Sequence, residues 1–132
     1  MNEPIRVLVV DDNAMNLELT SYALAGAGFE VACASDAPQA ELRIAEFGPQ
    51  LILMDIQMPG VDGLTLARRI KADPATAHIA VVAFTAYAMK GDEATMRAAG
   101  CDGYISKPID VRNFADRVRA CLPTGPPVGN AG

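Results

Sequence analysis

Three short apolar runs and one mixed run in this chain end on polar residues of particular kinds. IRVLVV, residues 5–10, ends on Asp11-Asp12, and LILM, residues 51–54, ends on Asp55. IAVVAF, residues 79–84, ends on Thr85, and CDGYI, residues 101–105, runs into Ser106-Lys107-Pro108. If these ends converge, three carboxylates, a hydroxyl and an ammonium share one place. Carboxylates a few ångströms apart need a proton or a cation between them. Oxygen ligands with no His or Cys nearby suit a hard ion, Mg²⁺ or Mn²⁺. A lysine and a hydroxyl opposite them are what a transferring phosphoryl group needs, since that chemistry is mostly positioning and charge stabilisation. Asp55 stands alone at the end of its run and is the natural nucleophile. A carboxylate attacking phosphorus gives an aspartyl phosphate.

Convergence depends on the elements that carry these residues. Residues 5–10, 29–34, 51–54, 79–84 and 101–105 read as strands, the second being the weakest. Helices are expected over 14–27, 37–47, 63–72 and 88–99, with a last one after Asp110. Asn13 is placed to cap the first, with Leu17, Leu24 and Ala27 on its inner face and Gly28 at its stop. In the second, Pro38 sits in the first turn, Gly48-Pro49 ends it, and Ala40, Ile44 and Phe47 face inward. Val111, Phe114, Val118 and Cys121 make an apolar stripe on the last.

Five strands thus alternate with five helices. The first, third and fourth strands are continuously apolar, as strands covered on both faces of a parallel sheet are. The expected fold is α/β: a doubly wound five-stranded parallel sheet in a three-layer α-β-α sandwich. Ligands of such sheets bind beyond the carboxyl ends of the strands, where the polar residues fall. The domain is expected over residues 1–122. Residues 123–132, PTGPPVGNAG, read as a flexible tail.

Bulk properties narrow the classes. The chain has 132 residues, enough for one domain with a real core. A net charge of −5 lacks the basic footprint that phosphate-backbone binding requires, which argues against a nucleic-acid partner. No apolar stretch reaches the length of a membrane span, and no leader is visible. Three cysteines, Cys33, Cys101 and Cys121, form no CxxC pair and fit a reducing cytoplasm. His78 reads as a surface residue away from the ligand edge.

Taken together, Asp11-Asp12, DIQMPGVDG from Asp55 to Gly63, Thr85-Ala86 and Lys107-Pro108 make the chain resemble the receiver domain of bacterial two-component response regulators. The segments HIAVVAFTAYAMKGDE and GCDGYISKPI are similar to single-domain, DivK-type or CheY-like regulators. The resemblance implies the flavodoxin-like strand order 2-1-3-4-5. It implies a phosphoryl group accepted on Asp55 from a histidine kinase or histidine phosphotransfer protein. Mg²⁺ would be held by Asp12, Asp55 and the backbone carbonyl of Gln57, with Asp11 acting largely through water. Lys107 would pair with phosphoryl oxygens, Thr85 would bond one of them and move inward, and Tyr104 would follow as an aromatic switch. A downstream protein would then read the face formed by the fourth helix, fifth strand and fifth helix.

Three other readings compete. A phosphorelay intermediate would pass the phosphate onward. A Mg²⁺-dependent aspartyl phosphatase would carry a second acid two residues after the nucleophile, where this chain has Gln57, which has no proton to exchange. An unphosphorylated scaffold would have no use for the acidic residues.

Overall fold

The apolar runs become strands because β-branched and bulky side chains fit a pleated surface covered on both sides. The computed structural model describes residues 4–55, 63–85, 97–98, 100–106 and 112–122. Strands β1 (Arg6–Val10), β2 (Glu30–Ala34), β3 (Leu51–Asp55), β4 (Ala80–Thr85) and β5 (Gly103–Ser106) form one parallel sheet, in the order β2-β1-β3-β4-β5. The described helices are α1 (Ala14–Gly26), α2 (Ala37–Phe47), α3 (Gly63–Ala72) and α4 (Phe114–Ala120). The helix expected over 88–99 lies outside the described residues except for Arg97 and Ala98, which are helical. The last helix of the sequence reading is therefore α4 here. The tail 123–132 and Asp110 also lie outside the described residues.

Strand alternation sorts the core into two layers. Leu8, Val10, Ile52, Met54, Val81 and Ala83 point to one face, where Ala37 and Ala40 of α2 and Leu66, Ala67 and Ile70 of α3 cover them. Val7, Val9, Leu51, Leu53, Val82 and Phe84 point to the other, under Leu24 of α1 and Phe114 and Val118 of α4. The result is the expected α-β-α sandwich. Phe84 and Phe114 lie with ring centroids 5.9 Å apart, joining β4 to α4. Arg119 donates to the Ala27 carbonyl at 2.8 Å and lies 4.9 Å over the Phe29 ring, which ties α4 to the end of α1.

Local signals set the helix ends. Asn13 caps α1 by accepting the Asn16 N–H at 3.0 Å. Asp36 caps α2 by accepting the Gln39 N–H at 2.9 Å, a role the sequence reading had not given it. Gly48 ends α2 in the left-handed region, at φ 63°, with its N–H on the Ile44 carbonyl. Two details differ from expectation. α1 buries Thr20 beside Leu24, while Leu17 is only partly covered. Thr20 lies one turn before Leu24 on the inner face, and a hydropathy pattern discounts a hydroxyl there. α4 begins at Phe114 after Asn113, whose side chain makes no capping bond; of the expected stripe, Phe114 and Val118 are buried and Cys121 is half-buried just past the helix.

Cys101 is buried at the entry to β5. Burial pushes its thiol up to about 11 from 9.0, the Asp102 charge adds to this, and Lys71 opposes it. Two outcomes follow. Leu53 is fully buried in the central strand. Leu53→Ala should lower unfolding free energy by about 3 kcal/mol, read from the urea midpoint at unchanged slope. The thiol's folded value lies above its unfolded one, so its contribution is complete below pH 9.0 and lost as pH rises toward about 11. Urea midpoints of the wild type should therefore fall more steeply over that range than those of Cys101→Ala.

Candidate functional site

The register of the central strands brings the acids together. Val10 of β1 pairs with Met54 of β3. One residue further on each strand stand Asp11 and Asp55, side by side at the carboxyl edge. Asp55 is the last residue of β3 and pairs with Phe84 of β4. Asp11 and Asp55 are 1% and 5% exposed, whereas Asp12 is exposed on the turn. Oxygen atoms of all three carboxylates lie within 4.8 Å of one another. Asp11, Asp12 and Asp55 therefore form one cluster.

The position of Asp11 is fixed from both sides. Its N–H donates to the Ala34 carbonyl at the end of β2, at 3.1 Å. Its Oδ1 accepts the Asn13 N–H at 2.9 Å. The Asn13 side chain in turn caps α1. One short stretch thus ends β1, orients a buried carboxylate and starts a helix. Asn13 is the expected cap, and its bond to Asp11 is a feature only the structure shows. An Asx residue two positions before a helix cap is the signal that could have found it.

Electrostatics decides what such a cluster can do. Two unit charges 4.8 Å apart repel by about 1 kcal/mol in water and about 3 kcal/mol at an effective dielectric of about 20. Three ionised carboxylates carry three such pairs, two of the groups being cut off from water. A divalent cation with oxygen ligands removes that repulsion. No His or Cys belongs to the cluster, so the donor set fits a hard ion.

The other predicted site residues fall as follows. Thr85 is the last residue of β4, one beyond the partner of Asp55, and its backbone pairs with Ser106 of β5. Tyr104 pairs with Ala83 and packs partly buried against the α2–α3 side of the core. Gln57 and Lys107 lie outside the described residues. His78 is exposed and is not a member of the carboxylate cluster.

Residues 7–119 match the family model for the response regulator receiver domain. The chain belongs to that family. This receiver domain is 41% identical over 119 residues to the polar-differentiation response regulator DivK of Brucella anthropi, covering 90% of this chain and 97% of that one. The DivK of Brucella ovis is 41% identical over 116 residues, with 88% and 94% covered. Among solved structures, a response regulator from Chloroflexus aurantiacus superposes with TM-score 0.84 at 30% identity, over 90% of this chain and 98% of that one. The chemotaxis protein CheY4 of Vibrio cholerae superposes with TM-score 0.85 at 22% identity, which speaks to the fold alone. The receiver is thus a CheY-like response regulator fold of two-component signalling. Among its described residues no helix is long and apolar enough to cross a membrane.

The repulsion inside the cluster sets an expectation for this receiver. Mg²⁺ should raise its melting temperature in proportion to the logarithm of concentration once the site is saturated. Asp12→Asn should weaken Mg²⁺ binding at least about tenfold, measured by calorimetry, while the metal-free variant melts no lower than the wild type.

Proposed function

We propose that this receiver is a phosphorylation-controlled signalling switch that accepts a phosphoryl group on Asp55. The observation that carries the reading is the buried carboxylate at the end of the central strand, in one cluster with Asp11 and Asp12. An Asp55 oxygen attacks the phosphorus of a phosphohistidine on a histidine kinase or histidine phosphotransfer protein. The new O–P bond forms as the P–N bond breaks, and the imidazole leaves with the electron pair. Asp12, Asp55 and the Gln57 backbone carbonyl are the ligands we assign to Mg²⁺, with Mn²⁺ as a substitute, and Asp11 as a partner through water. When bound, the cation neutralises charge on the phosphoryl oxygens.

Lys107 is assigned to the opposite side of the phosphoryl group, where its ammonium offsets the remaining charge. Thr85 donates its hydroxyl to a phosphoryl oxygen, and Tyr104 re-packs in response. The strand positions support these assignments: Thr85 ends β4 one residue past the register of Asp55, and Lys107 follows β5 directly. Gln57 has no proton to exchange, which favours a lasting aspartyl phosphate over turnover. The protein on this reading is a cytoplasmic signalling switch and not a turnover enzyme.

The phosphodonor would approach over the start of α1, next to Asp12. There Met15, Leu19 and Tyr22 are 77%, 50% and 82% exposed, at spacings that place them along one side of the helix. Large apolar groups left in water along a helix that begins beside an acidic site suit a protein partner better than a free small molecule. The downstream partner reads the face that includes β5 and α4. A shift of about 1–3 kcal/mol between two states of that face is enough to change its affinity five- to a hundred-fold or so.

Incubation with a radiolabelled phosphodonor and Mg²⁺ should label the wild type and leave Asp55→Asn unlabelled. Equal labelling of the two proteins would remove Asp55 as the acceptor.

A further inference from the structure

The carboxylates stand at the ends of central strands, but Tyr104 lies in β5, which Lys107 follows in sequence. That strand has four residues and, among the described strands, pairs with β4 alone. A buried face specifies register, and in this short strand Ile105 is the one side chain described as buried, so few contacts oppose a slip, and a slip of one residue exchanges the two faces. Here such a slip would swap Tyr104, packed toward α2 and α3, for Ile105, buried on the opposite side. It would also move the residue that follows the strand by more than 3 Å or so.

A hydrogen-bonded assembly sits directly before β5, at the end of the sheet opposite the acids. The Asp102 N–H donates to the Val81 carbonyl at 2.7 Å, and the Val81 N–H donates to Asp102 Oδ2 at 2.8 Å. Asp102 thus supplies both partners for one residue of β4, and continues the register that starts at Val82 and Gly103. The same Oδ2 accepts from Lys71 Nζ at 2.7 Å. Lys71, near the end of α3, also donates to the carbonyls of Ile79 at 2.7 Å and Ala77 at 3.3 Å. Its three N–H groups are therefore directed at three acceptors on two segments.

The lysine stem passes over Gly100. A Cβ at that position would stand 2.8 Å from Lys71 Cγ, and φ there is 97°. Glycine is required twice over, for the backbone conformation and for the passage of the side chain. Asp102 is 43% exposed and Lys71 22%, so the ion pair contributes little as charge. What it contributes is direction, since each bond has one geometry and all of them agree on one register.

We infer that Asp102, held by Lys71, is a positioning residue for phosphoryl transfer: it locks the register of β5 on β4 and so places Tyr104 and the strand end, Ser106, that Lys107 follows in sequence. The inference rests on the phosphoacceptor reading for its consequence and on the described geometry for the lock itself.

The test uses Asp102→Ala, Asp102→Asn and Lys71→Met in the full chain, with acetyl phosphate as donor. Asn keeps a carbonyl acceptor for Val81 and Lys71. Met keeps the stem over Gly100 and loses only the ammonium. Asp102→Ala should slow labelling of Asp55 about tenfold to a hundredfold at saturating donor, with Mg²⁺ affinity unchanged. Asp102→Asn should label at close to the wild-type rate, and Lys71→Met should be slowed. Wild-type rates in Asp102→Ala, or an Asp102→Asn as slow as Asp102→Ala, would overturn the lock. If Asp102→Ala does not fold, the slowing in Lys71→Met decides, and its absence would overturn the lock equally. Amide exchange supplies a readout that does not need phosphate. The Val81 amide should exchange faster in Asp102→Ala or Lys71→Met, with shifted Tyr104 ring signals, and unchanged spectra would contradict the inference. A wild type that takes no label counts against the phosphoacceptor reading, while the Val81 amide still judges the lock.

Discussion

Three carboxylates held within 4.8 Å of one another are an arrangement that a flexible chain would relax by moving apart. The fold does not let them. Asp11 and Asp55 end adjacent central strands whose preceding residues are fully buried, so neither strand end can swing outward without exposing core. The Asn13 N–H and the Ala34 carbonyl fix Asp11 further. The site therefore holds three carboxylates in one place, supported by the apolar layers on both faces of the sheet. A cation bound there gains what the unfolded chain cannot offer, and on the proposed reading this would couple the cation and a phosphoryl group to the state of the domain.

The sheet also divides its labour. The strands that carry the acids, β1 and β3, are flanked on both sides and covered on both faces. The strand that carries Tyr104, β5, is an edge with one neighbour among the described strands. A rigid centre suits a site whose chemistry depends on fixed charges. A marginal edge suits a response, because a few kcal/mol can re-pack it. The Asp102–Lys71 assembly keeps the entry of that edge in register, leaving its exit as the end that can respond.

Much of this was legible in the sequence. Continuous apolar runs marked β1, β3 and β4 as buried strands, and the polar residues that end them pointed to one edge of the sheet. Helix α2 falls on the residues expected from Pro38 and Gly48, and α3 on those expected between Asp62 and Asp73-Pro74. What the pattern did not reveal depends on three-dimensional contacts. Thr20 is buried because of where it sits on α1, not because of its type. The bond from Asn13 to Asp11 needs the turn geometry. Asp102 and Lys71 are 31 positions apart and look like two ordinary surface charges until β4 and α3 bring them together. Leu17, Leu24 and Ala27 mark the inner face of α1 in the sequence, but that Met15, Leu19 and Tyr22 are left in water is visible only in the packing.

The decisive point is which carboxylate takes the phosphate. Acyl phosphates are reduced by borohydride to the alcohol, which would turn a phosphorylated aspartate into homoserine and leave a free aspartate as it was. Protein incubated with acetyl phosphate and Mg²⁺, reduced, digested and mapped by mass spectrometry should carry homoserine at position 55 and intact aspartates at positions 11 and 12. Homoserine at position 11 or 12, or at none of the three, would contradict Asp55 as the acceptor.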